Sequence, residues 1–155
     1  MVLIILVATI ILSLMAFQNH RFYELTLFRP YLIKHHNEWW RWISGGFIHQ
    51  DYMHLFVNML SFYFFAEPCL AFFNAISGND NGILFLLFYV GAVVMSSMYS
   101  YHKHQNNYGY AALGASGAVA AVIFSYVLIN PFGKIYLYGF LQLPAWLFGI
   151  IYLYY

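Results

Sequence analysis

The sequence predicts an all-α membrane protein of five apolar spans, and three observations carry that prediction. First, 63% of its 155 residues are hydrophobic and only 7% are charged, against about 25% charged in an ordinary soluble domain. So few ionisable side chains cannot clothe a water-facing surface of this size. Second, the apolar residues fall in long, nearly continuous runs with no period-2 alternation, which favours helices over barrel strands. Third, only helices and closed barrels satisfy every backbone polar group in lipid. The same composition excludes disorder, which needs low hydrophobicity and high charge. A net charge of +1 leaves no electrostatic footprint for nucleic acid. The lone Cys69 permits no internal disulfide or cysteine-based zinc pattern, and it reads as a small buried hydrophobe.

The expected spans are residues 1–17, 52–73, 82–101, 113–130 and 135–155 of one domain. The first has no basic residue before it and no small-residue cleavage site after it, so it reads as an uncleaved span. Residues 18–51 read as a long loop holding four of the six basic residues and three of the four tryptophans. Asn130-Pro131 stops the fourth span, because proline disfavours helical geometry in the residue before it. One side of the membrane receives Arg21, Arg29, Lys34, Arg41 and Lys103, and the other only Lys134. The positive-inside rule therefore places the first loop in the cytoplasm.

Polar residues inside a span are costly and point to function by default. His54 and Asn58 open the second span four residues apart, on one helical face. Gly114-Ala115-Ser116-Gly117 opens the fourth. Both spans start from the same side, so the three polar side chains reach similar depth and meet if the two helices are neighbours. A serine hydroxyl needs a base beside it and donors for the oxyanion that forms. A helix start supplies unpaired amides and a favourable dipole, and the glycines allow close approach. The alternative stays open: Ser116 as a helix cap, with Gly114, Gly117, Ala118 and Ala121 as a packing seam, and His54 and Asn58 as interhelical hydrogen-bonding residues. His49 and His54 are five apart and would face differently on one helix, too few for a metal site. His35, His36, His102 and His104 read as solvated, interfacial residues.

Together, Trp40-Arg41, then His49, His54 and Asn58 as H-x₄-H-x₃-N, then Gly114-Ala115-Ser116-Gly117 as G-x-S-G resemble the rhomboid intramembrane serine proteases. The resemblance runs from about Trp40 to the end of the chain. It implies a six-helix core, five helices being present here, and cleavage of transmembrane segments of other membrane proteins near the membrane surface. It implies Ser116 as nucleophile and His54 and Asn58 as oxyanion donors. Trp40 and Arg41 become part of a structural first loop, with His49 structural too. No metal or organic cofactor is implied. The family places the amino terminus in the cytoplasm, opposite to the charge count, and that topology is preferred because a loop embedded in the membrane is poorly described by a charge rule. The expected location is a bacterial cytoplasmic (inner) membrane. Three departures stand out. Ala120 occupies a position where some members carry an aromatic. Glu67-Pro68 lies out of register with a glutamate often found near the end of the second helix. No histidine follows Ser116, whereas the family's general base lies on a sixth helix. The expectation is therefore a chain truncated at its C-terminus, a protease when intact and inactive as these residues alone. The competing expectation is an inactive rhomboid-like protein that binds transmembrane helices.

Overall fold

The computed structural model describes residues 1–137 and 141–154. Eight helices occur among them: α1 (Val2–Gln18), α2 (His20–Thr26), α3 (Pro30–His36), α4 (Arg41–Ser44), α5 (Tyr52–Ser77), α6 (Ile83–His104), α7 (Ser116–Ile129) and α8 (Ala145–Tyr154). Only α5 and α6 are long and apolar enough to cross a membrane by themselves, while α1 and α7 are shorter apolar helices.

The expected loop at 18–51 is instead three short helices and a 3-10 turn, Gly45–Phe47. Pro30 starts α3 because its fixed φ suits a first helical turn. The Asn19 side chain accepts the Phe22 amide and so starts α2. Arg41 holds this region together. Its guanidinium is buried, donates to the Glu24 and Leu27 carbonyls at 2.9 and 2.8 Å, and pairs with Glu38. Trp40 Nε1 donates to the Leu25 carbonyl at 3.1 Å.

The fifth expected span, 135–155, is corrected. Lys134–Leu137 (β1) and Leu141–Pro144 (β2) pair as an antiparallel hairpin, and the helix starts only at Ala145. Pro144 is the reason: it lacks an amide and clashes with the preceding turn, so no helix runs through 141–144. The amides of Ala145 and Trp146 instead donate to the carbonyls of Gly133 and Pro131 at 2.8 and 2.9 Å.

Helix α7 sits at the centre, packed on α5, α6 and α8. Its small residues allow this. A Cβ on Gly117 would collide with the Ser96 side chain of α6. On its other flank Cys69 of α5 donates its thiol to the Val122 carbonyl at 3.3 Å. Phe62, Phe85, Tyr89, Val122 and Ile123 fill the interior. In a bilayer such packing is driven by van der Waals contact and close backbone approach rather than by escape from water. Leu3, Leu87, Met95, Phe64 and Leu128 point outward, which suits acyl chains and not water.

Candidate active site

Two backbone links hold the segment before α7 against the first loop. Phe28 and Ala112 exchange amide-to-carbonyl bonds, both 3.0 Å, and the Gly114 amide donates to the Gly45 carbonyl at 2.9 Å. Gly114 takes φ +113°, a conformation that residues with a Cβ rarely adopt. The chain then turns directly into α7, whose first residue is Ser116.

Ser116 is exposed and its hydroxyl makes no hydrogen bond among the described residues. It opens on a cavity of about 180 Å³ between the first loop, α6 and the start of α7, lined also by Gly114, Gly117, Ser96, Ser97 and Ser100. The amides of Ser116, Gly117 and Ala118 have no carbonyl to receive them within the helix, and the α7 dipole favours negative charge at the same end.

His54 reaches this place from α5. A Cβ on Gly114 would lie 2.9 Å from His54 Cε1, 3.4 Å from His54 Nε2 and 3.9 Å from Ser116 Oγ. The imidazole and the hydroxyl therefore flank the space left by one missing methyl group. Asp51 caps α5 by accepting the His54 amide at 2.8 Å. Asn58 lies one turn along, buried, and its Nδ2 donates to the His54 carbonyl at 2.9 Å. That bond uses one of its two amide protons and leaves the other free to donate. The structure thus brings His54 and Ser116 to one point and keeps Asn58 tied to its own helix. Trp40 and Arg41 lie apart, in the first loop.

His49 sits in the loop before α5, outside the spanning helices, and is fully buried. Burial first, and the neighbouring His54 second, push its pKa down from the ordinary 6.5 to about 4, against an opposing pull from Asp51. The folded protein therefore holds it neutral, while the unfolded chain protonates near 6.5. Its contribution to stability is full above about pH 6.5 and is lost as pH falls through about 4,. Thermal unfolding in detergent micelles should show a progressive loss across that window, on the order of 3 kcal/mol in total, with a flatter profile in His49→Gln. A profile unchanged by that substitution would assign the acid sensitivity elsewhere.

Several participants were not singled out from sequence: Ser96, Ser97 and Ser100 at the cavity wall, Ser13 beside His49, and the Phe28–Ala112 bridge. The serines carried a signal, being polar residues inside apolar runs. The bridge carried none.

The rhomboid domain pattern matches residues 36–155, more than three quarters of the chain. The chain belongs to the rhomboid family. It is 29% identical over 118 residues to the "RHOMBOID-like protein 12, mitochondrial" of Arabidopsis thaliana, covering 70% of this chain and 34% of that relative. It thus spans about a third of that protein's length. Rhomboid membership and the two long apolar helices make it an integral membrane protein. Placement in a bacterial inner membrane gains no support from this relative, a mitochondrial protein of a plant.

Proposed function

We propose that the intact protein is an intramembrane serine endopeptidase that cleaves transmembrane segments of other membrane proteins. One observation carries the reading: the His54 imidazole and the Ser116 hydroxyl converge on Gly114 beside the unpaired amides of α7. Ser116 Oγ attacks the scissile carbonyl and its proton passes to a general base. The carbonyl oxygen becomes an oxyanion held by the first-turn amides of α7, His54 and the free Asn58 N–H. The base gives that proton to the nitrogen as collapse expels the amine; it then takes a proton from water, which attacks the acyl-serine, and returns it to Ser116 Oγ as the acid leaves. No base is hydrogen-bonded to Ser116 among the described residues, and the reading takes the general base to be the histidine that the family resemblance implies on a sixth helix. These residues alone are expected to be inactive.

That same missing partner supports a second reading, a rhomboid-like protein that binds transmembrane helices without cutting them. Reconstitution of the intact protein with a single-pass membrane protein separates the two. Turnover to two fragments supports the protease, and stoichiometric capture of uncut substrate supports the binder. For the protease, Asn58→Ala should lower kcat by about 10²–10³ with a smaller change in KM, because the contact strengthens in the transition state. An unchanged kcat removes Asn58 from the oxyanion site.

A further inference from the structure

The His54 side chain makes no hydrogen bond among the described residues. What fixes its ring is therefore packing: the Gly114 backbone on one side, and on another the ring of His49, edge-on at 5.0 Å between centroids and 83° between planes. His49 is in turn held by α1. Ser13, fully buried, donates its hydroxyl proton to the Phe47 carbonyl at 3.2 Å, and the same oxygen lies 3.0 Å from His49 Nδ1. A carbonyl can only accept and a hydroxyl has one proton. With that proton on the Phe47 side, His49 Nδ1 carries the hydrogen and donates to Ser13; with the proton turned to His49, Nδ1 accepts and Nε2 carries the hydrogen,. Only the first arrangement spares the buried Nε2, which has no hydrogen-bond partner among the described residues, from being an orphaned N–H, and neutral His49 is therefore assigned the Nδ1–H tautomer.

We propose that Ser13 and His49 form a positioning pair through which α1 sets the ring orientation of His54. Ser13 lies outside the segment that matches the rhomboid domain, and the pair adds α1 to a site otherwise built from α5, α6, α7 and the first loop. The hydrogen bond to a buried helix serine orients the His49 ring, and the edge of that ring packs against His54. The proposed link to catalysis rests on the protease reading, while the link to ring geometry does not.

The test uses the intact protein with ¹⁵N-labelled histidine in detergent micelles near pH 7.5, where His49 is neutral. Histidine NMR should show His49 protonated at Nδ1 only. Ser13→Ala should shift His49 toward the other tautomer and broaden or move the His54 ring signals, and Ser13→Thr, which keeps the hydroxyl, should restore both. In the protease assay Ser13→Ala should lower kcat on the order of tenfold, less than outright removal of an oxyanion donor, with KM within about twofold and recovery in Ser13→Thr. Wild-type His49 protonated at Nε2 overturns the proposal without any variant, as do His54 signals indifferent to Ser13→Ala. A tautomer shift accompanied by no cleavage in any form, wild type included, supports the pair and removes the protease reading instead.

Discussion

Ser116→Ala should abolish covalent labelling of the intact protein by a fluorophosphonate probe and lower substrate cleavage by 10³-fold or more, on the order seen when a nucleophile is removed. The same substitution should leave stability almost untouched. Ser116 is exposed and its hydroxyl makes no hydrogen bond among the described residues, and such surface changes usually stay within about 0.5 kcal/mol. Alanine also suits the first turn of a helix. The two readouts together are what make the result informative. If Ser116 were mainly a cap or a packing residue, stability would fall and chemistry would follow it. Labelling that persists in the alanine variant removes Ser116 as nucleophile.

Gly114→Ala should damage both fold and chemistry, for two separable reasons. The backbone at φ +113° is strained for any residue with a Cβ, about 1–3 kcal/mol. It cannot relax freely, because the Gly114 amide is held by the Gly45 carbonyl. The new methyl would also lie 2.9 Å from the His54 ring, which must then leave its place beside Ser116. Gly78 supplies the control. It has φ +70° and nothing within 4 Å of an added Cβ, so Gly78→Ala isolates backbone strain. Both variants should lower the melting temperature in micelles. Only Gly114→Ala should also lower probe labelling, by about 10² if one oxyanion donor is displaced. Equal labelling in the two variants would reject the wedge between Gly114 and His54.

Much of the candidate site was legible in sequence because its members are chemically out of place. His54, Asn58 and Ser116 interrupt apolar runs, and a polar group in lipid demands a reason. Helical spacing then put His54 and Asn58 on one face. Ser13 interrupts the first span in the same way, yet its purpose appears only when the 3-10 turn brings Phe47 and His49 against α1. Asn58 shows the opposite error of scale. Its spacing places it beside His54 but leaves open that its amide bonds the His54 carbonyl of its own helix.

The first loop and the last span show where composition misleads. Residues 18–51 are polar enough to read as a connection, but Arg41 gathers two backbone carbonyls and Glu38 into one buried knot that no local propensity encodes. Residues 135–155 are apolar enough to read as a span, yet one proline without an amide divides them into a hairpin and a short helix.

Sequence alone determined the helical class of the protein and the order of its long apolar helices, and it singled out His54, Asn58 and Ser116 as polar residues at their starts. These follow from composition, from the 3.6-residue period and from the expense of polarity in lipid, all properties of short stretches of chain. Tertiary structure alone decided that α5 and α7 touch across Gly114, that the loop before α7 hydrogen-bonds to Phe28 and Gly45, and that α1 contributes Ser13. Those contacts join residues tens of positions apart. Their energies come from close packing and paired buried dipoles, which exist only once the helices have assembled.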